Sequence, residues 1–366
     1  MKYFLKITSL LIFALGCSSS DDSTPPPTNN DIPPVIDNKL YFPSINSSEW
    51  ETISAEDLNW NTEAINELLA FVEEKNSESF IILKNGKIVV EWYGNGADAS
   101  SNHTWNSASK TLATYTIGIA QEESLLDIND SSQDYLGEGW SSMTTEQENN
   151  ITIRHHLTMT TGVDYNENNA TCTDPECLIF LNDPGTFWYY DTCTYTLTHR
   201  IIEGASGQEF KTYFNEKLRD KIGMQGAWFN LLDFEIFASN ARSMARYGLL
   251  CLNKGKWDDN QIISESFFNE MTSTSQDLNK AYGYFWWLNG KESYRLPSTA
   301  LEFNGSLIPS APTDLIASLG KDDQKIYIVP SENLVIVRMG DSADTSQFGP
   351  SGFDTELWEK ITAVYN

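Results

Sequence analysis

The chain reads as an α+β protein: an antiparallel sheet completed by both ends of the polypeptide, flanked by terminal helices, with a mostly helical lobe inserted between its strands. Three observations predict this. Strand-like apolar runs sit at Phe80–Leu83 and Ile88–Tyr93 near one end, and at Ile326–Val329 and Leu334–Met339 near the other. From Ser107 to about Thr274 the apolar residues recur mostly at helical spacing. Further helical patterns precede the first strands and follow the last, so strands and helices are segregated along the chain, as packed α+β layers require.

The elements follow in order. Lys2 and Lys6 supply a charged start, Ile7 to Leu15 a short apolar core, and Ala14-Leu15-Gly16-Cys17 a small-residue junction, the pattern of an export signal over residues 1–17. A cysteine directly after Gly16 resembles a bacterial lipoprotein box, which would make Cys17 the acylated N-terminus; a plain secretory signal is the alternative. Residues 18–45 begin with Ser, Asp and Pro text that buries little apolar surface and reads as a tether. The folded domain is expected over 46–366, its sheet drawn from about 78–95 and 310–340 and its helical lobe from about 107–280. A helix over 61–76 places Ile65, Leu68, Leu69 and Val72 on one face. Asn85-Gly86 is the strongest short hairpin signal in the chain. Ser239 is expected to cap a helix that turns Ala241, Met244, Ala245, Gly248 and Leu249 inward, with Gly255 just past its end. Asp354 is expected to cap a last helix carrying Leu357, Trp358, Ile361 and Val364. Trp286-Trp287 reads as core or as pocket wall.

The charge balance excludes some functions. With 24 basic and 51 acidic residues the net charge is −27, which opposes binding to nucleic acids or anionic lipid surfaces. No run beyond the leader approaches the about 18 apolar residues of a membrane span. Of the five cysteines, Cys172, Cys177, Cys193 and Cys251 follow Cys17, and in an oxidising compartment they allow three pairings. Cys172 and Cys177 flank the turn-prone Asp174-Pro175 and are the favoured disulfide. No Cys-x-x-Cys pair and no ligand spacing among the four histidines points to a metal, and no cofactor is implied. His155 and His156 are consecutive on a short helical pattern, so their side chains point apart and read as structural.

Catalytic chemistry is suggested at Trp105-Asn106-Ser107-Ala108-Ser109-Lys110. Ser107 opens a helical pattern through Ala108, Leu112, Tyr115 and Ile119, and residues three apart share a face, so the Lys110 amine can reach the Ser107 hydroxyl. A helix start also offers unpaired N–H groups and a positive dipole end to an oxyanion. The pattern recurs at Ser318-Leu319-Gly320-Lys321, where a strand-like context would not align serine with lysine. An ordinary helix cap is the competing reading of Ser107.

Further segments carry a resemblance. They are Ser79-Phe-Ile-Ile-Leu-Lys-Asn-Gly-Lys-Ile-Val, Ile151-Thr-Ile-Arg-His-His-Leu-Thr-Met-Thr-Thr-Gly162, Pro184-Gly185-Thr186 with Tyr190, Ala281-Tyr-Gly-Tyr-Phe-Trp-Trp-Leu288, and Gln324-Lys-Ile-Tyr-Ile-Val-Pro330 with Asn333-Leu-Val-Ile-Val-Arg-Met-Gly340. In that order, over roughly residues 50–365, the chain resembles the serine β-lactamase-like superfamily: class C β-lactamases, DD-peptidases, β-lactamase-fold esterases and 6-aminohexanoate-dimer hydrolases. The resemblance implies a five-stranded sheet, an all-α lobe, and a site at their junction. It also implies Ser107 as nucleophile, Lys110 as base, Tyr190 as proton shuttle, and an oxyanion hole of the Ser107 N–H with one donor from the segment around Ser318, Leu319 and Gly320. Two features depart from the family. Its second motif, Tyr-x-Asn, reads Tyr190-Asp191-Thr192, and its third, Lys-Thr-Gly or His-x-Gly, is absent. The literal Tyr213-Phe214-Asn215 lies within a helical pattern and reads as structural. The implied function is hydrolysis of a small or oligomeric ester or amide, with a peptidoglycan or β-lactam enzyme and an inactive surface binder as alternatives. The expected place is the bacterial cell envelope, anchored to the outer membrane through the lipid on Cys17.

Overall fold

The computed structural model describes residues 39–165, 171–231, 234–344 and 349–365. The leader, Cys17 and the tether up to residue 38 lie outside the described residues. Asn85-Gly86 turns β1 (Ser77–Lys84) into β2 (Lys87–Tyr93), both turn residues taking positive φ, 51° and 82°. That is the backbone a two-residue hairpin needs, and asparagine and glycine tolerate it best. β3 (Trp287–Leu288), β4 (Ile316–Gly320), β5 (Gln324–Val329) and β6 (Leu334–Gly340) complete a six-stranded sheet in the order β2-β1-β6-β5-β4-β3. Every pairing is antiparallel, and β1 lies beside β6 from Ser77 opposite Gly340 to Lys84 opposite Leu334. The short edge strand β3 is one more than the five expected.

Helices cover both faces. α1 (Thr62–Glu74) is capped by Asn61, whose side chain accepts from the Glu63 and Ala64 N–H groups, and it buries Leu68 and Val72. α2 (Lys110–Glu122) continues a 3₁₀ turn at Asn106–Ser109. α3 (Thr192–Ser206) is capped by Asp191. α4 (Ala241–Leu252) packs on β5 and β6, where a side chain at Gly248 would meet Val335 at 2.4 Å. The glycine therefore sets how closely helix and sheet approach. On the opposite face lie α1 and α5 (Gly352–Tyr365), with Trp358 edge-on to Tyr327 of β5. Adjacent strand residues point to opposite faces, so Ile326 faces α4 and Tyr327 faces α5.

Several expectations are corrected. The folded unit already includes residues short of the expected start at 46: Leu40 and Phe42 pack on the core and the Tyr41 N–H donates to the Asn85 carbonyl. The cap of α4 is Asn240, which accepts from the Ser243 N–H at 2.8 Å. Ser239 instead ends a strand and accepts from the Trp105 indole at 2.8 Å. Asp354 lies inside the first turn of α5, where it accepts from the Ser351 N–H and pairs with Lys325. The helical lobe is interrupted by a small sheet of His103–Thr104, Ala227–Leu231 and Phe234–Ser239. The Cys172–Cys177 disulfide is formed, while Cys193 and Cys251 are free and buried.

Candidate active site

Ser107 sits in the 3₁₀ turn that leads into α2, half-buried, and Lys110 Nζ lies 3.3 Å from its Oγ. The residue before it, Asn106, holds a positive φ of 48°. Asparagine is among the few side chains that accept this conformation readily. Lys110 is 3% exposed, and beyond the Ser107 hydroxyl its surroundings are aromatic: Nζ stands 4.4 Å from the Tyr195 ring centre and 5.1 Å from that of Tyr190. Burial disfavours the ammonium and pulls the lysine pKa down to about 7, against the opposing charge of Asp191. A substantial neutral fraction is thus available at neutral pH, within reach of a hydroxyl.

The Tyr190 phenol stands beside the pair, partly buried, and burial raises its pKa, so it keeps its proton at neutral pH. Its ring stacks on Trp287 at 6.0 Å and meets Tyr282 edge-on. Asp191 accepts from the Cys193 N–H at 3.0 Å and from the Cys193 thiol at 2.9 Å, which fixes the start of α3. Burial raises the Asp191 pKa, with the Cys193 hydrogen bonds and Lys110 opposing. Thr192, where the family pattern has an amide, lines the cleft beside Ser107.

The end of β4 closes the other side. A Cβ at Gly320 would fall 2.2 Å from the Trp105 carbonyl oxygen and 3.2 Å from the Ala108 nitrogen, so only glycine lets this edge touch the Ser107 turn. Leu319 lines the cleft. Ser318 faces away from it, fully buried, and donates to the Ala108 carbonyl at 2.7 Å with Thr111 Oγ1 at 3.0 Å. It fastens β4 to the turn rather than meeting Lys321, which lines the cleft with Asp322.

Two arms meet at Ser107. One, about 420 Å³, is walled by Tyr195, Leu231, Phe234 and Ile236. The other, about 290 Å³, is walled by Tyr165, Tyr189, Tyr190, Trp287 and Leu319. Trp286 belongs to the core and Trp287 to the wall, so the pair divides between the two roles expected of it. A larger cavity, about 680 Å³, lies beside Trp50, Arg242 and Arg246, away from this cluster. Its arginines are engaged: Arg242 grips both oxygens of Glu91, and Arg246 donates to the carbonyls of Ile222, Ser44 and Ser47.

Other sequence candidates are structural. His155 caps a short helix with Thr152, and His156 is buried against the Thr194 carbonyl, burial lowering its pKa to about 4. Tyr213 donates to Glu123, just past the end of α2 opposite the one that carries Ser107. Among the described residues no cluster fit to hold a metal occurs. Sequence reasoning missed Tyr195, Asp191 and the aromatic wall of Tyr165 and Tyr189, whose rings stack at 4.0 Å. Asp191 had a visible signal, an aspartate directly before an apolar-periodic run. Tyr195 had none, since an aromatic on a helix reads equally well as core.

Solved structures share this architecture. A protein from Bacteroides dorei DSM 17855 with a provisional β-lactamase assignment superposes with a TM-score of 0.66 at 17% identity, covering 84% of this chain and 99% of its own. One from Bacillus anthracis, provisionally a 6-aminohexanoate-dimer hydrolase, gives 0.64 at 18% identity, covering 86% of each chain. A family VIII carboxylesterase gives 0.61 at 16% identity, covering 83% of this chain and 97% of its own. At such identities these likenesses establish the fold. The family model for Beta-lactamase matches residues 73–353, and the chain belongs to that family of serine hydrolases.

Proposed function

We propose that the protein hydrolyses an ester or amide through an acyl-enzyme on Ser107. The observation that carries this reading is Lys110, buried 3.3 Å from Ser107 Oγ with its pKa near 7. A serine hydroxyl is a weak nucleophile at neutral pH and needs an adjacent base. Neutral Lys110 takes the Ser107 proton as Oγ attacks the substrate carbonyl carbon. The oxyanion is held by the Ser107 N–H and a donor from the Leu319–Gly320 edge; such donors are worth about 100-fold or more in rate each. The Tyr190 phenol protonates the departing alcohol or amine and recovers its proton from Lys110. Water then attacks the acyl carbon, giving a proton to Lys110, and Lys110 passes it to Ser107 Oγ as the acid leaves, restoring both groups.

Absence of the Lys-Thr-Gly and His-x-Gly motifs favours a carboxylesterase or amidase, including 6-aminohexanoate-type amides, over an antibiotic-binding enzyme. The protein is placed in the cell envelope by lipid on Cys17, and a Cys17→Ser form should leave the membrane fraction. The deciding experiment is intact mass after exposure to a fluorophosphonate and, separately, to a penicillin, alongside turnover of p-nitrophenyl butyrate. A fluorophosphonate adduct alone supports the esterase or amidase. Adducts with both reagents favour the penicillin-recognising branch, and neither adduct favours a binder. Retention of more than about a tenth of turnover by Ser107→Ala, far above the usual residue of such losses, overturns the assignment.

A further inference from the structure

At the edge of the cleft, Asp322 and Asp323 are consecutive non-glycine residues in the left-handed region, each with φ of 59°. Side chains avoid that conformation, and it persists only where surrounding contacts over-determine it. Here they do. Arg338 of β6, fully buried, donates from one nitrogen to both carbonyls of the pair, Asp322 at 3.0 Å and Asp323 at 3.2 Å. Its other nitrogens are anchored on Ser77 Oγ and the Lys75 and Asp341 carbonyls. Gln324 adds a bond to the Asp322 carbonyl at 2.8 Å. The Asp323 carboxylate, also fully buried, meets Lys325 at 3.0 Å and accepts from Ser351 Oγ at 2.7 Å and the Ala343 N–H at 2.9 Å.

The other side of this turn faces the site. The Lys321 carbonyl accepts from the Asn106 side-chain amide at 2.8 Å, with Asp322 Oδ2 at 3.5 Å. Asn106 is itself left-handed and directly precedes Ser107. The three left-handed residues are thus joined through one hydrogen bond, with the buried charges at one end and the serine at the other.

We infer that Arg338 and Asp323, which line neither arm of the cleft, are positioning residues that fix Ser107 by holding the Lys321 carbonyl on Asn106. The inference rests on Ser107 being the nucleophile. A reacting atom displaced by about 1 Å loses on the order of 100-fold in rate, so a partial loosening of this chain is measurable.

The test is a double-mutant cycle between the two ends, read as kcat, KM and the rate of fluorophosphonate labelling at Ser107, located by peptide mapping. Arg338→Met is one arm, and the isosteric Asp323→Asn is the second variant in case the first does not fold. Each should lower kcat and the labelling rate by about 10-fold or more, with KM within about twofold. In an Asn106→Ala background the same changes should cost less than about twofold, because the link is already cut. Losses that multiply independently, or an Asp323→Asn enzyme with unchanged kcat and labelling rate, overturn the proposal. The two readings fail distinguishably: if Ser107→Ala keeps its turnover, or wild-type Ser107 takes no label, the hydrolase mechanism falls and the positioning reading with it; if Ser107→Ala is inactive and Ser107 labels but the cycle shows no coupling, the positioning reading falls alone.

Discussion

Lys110 and Lys325 are both buried lysines, and they are built in opposite ways. Lys325 is fully buried between two carboxylates, Asp323 at 3.0 Å and Asp354 at 2.8 Å. Lys110 has a hydroxyl at 3.3 Å and two aromatic faces, with Asp191 acting only as a nearby charge. A buried ammonium costs free energy unless it is paired. Where partners are supplied, the lysine is structural. Where they are withheld, the proton is held loosely and the group is available for proton transfer.

The comparison is broken most directly by making both lysines methionine. Lys110→Met should cut turnover by about 1,000-fold, in the range of a lost general base, without lowering the melting temperature. The stability sign follows from the depressed pKa. Below about pH 7 both folded and unfolded chains hold the proton, and the folded chain bears the whole cost of burying it. That cost fades as pH rises from there to the unfolded value, so the gain in melting temperature on Lys110→Met should be larger at pH 6 than at pH 9. Lys325→Met should do the reverse, costing about 3 kcal/mol or more in a denaturant titration because two buried carboxylates lose their cation. Its folded fraction should keep activity to within about tenfold, the effect of loosening a distant support.

Asp191 tests how completely Lys110 has been deprived of partners. In the wild type, kcat/KM should rise with pH through about 7 as Lys110 loses its proton. Asp191→Asn removes the charge that holds the proton on, so the rising limb should move to lower pH; an unmoved limb would show that the two groups are not coupled. The smallest effect is expected at the second Ser-x-x-Lys. Ser318→Ala removes hydroxyl bonds to the Ala108 carbonyl and to Thr111, which should cost about 1 kcal/mol of stability and leave turnover within a few-fold.

The same two stretches show what was legible in the sequence. Ser107 and Lys110 could be read because their coupling is local, one helical turn apart, and Ser318 could be set aside because a strand separates what a helix aligns. The hairpin at Asn85-Gly86, the strands β1, β2, β5 and β6 and the Cys172–Cys177 bridge are likewise short-range and were legible, whereas the two-residue edge strand β3 was not. Tyr190 needed the family's order of motifs, since nothing local joins it to Ser107. The Arg338, Asp323, Lys325 and Asp354 network was not legible, because its members are separated along the chain and meet only once β5, β6 and α5 pack. The misplaced cap of α4 has a different cause. Ser239 and Asn240 are both good caps, and the choice is made by Trp105, whose indole takes Ser239 as its acceptor.

The seam between β1 and β6 bears on how the molecule comes into being. Ser77 pairs with Gly340, so the first strand of the sheet has no neighbour on that side until nearly the whole polypeptide has been made. Pairings of such sequence separation carry a large loop-closure cost and form slowly. The turn bearing Ser107 depends on the same late arrival, for its support at Gly320 belongs to β4 and its brace at Arg338 to β6. A nascent or C-terminally clipped chain therefore carries the serine and lysine without the architecture that arms them. On the proposed mechanism, hydrolytic competence would be acquired at the close of folding, and a fragment released by premature termination or proteolysis would be inert.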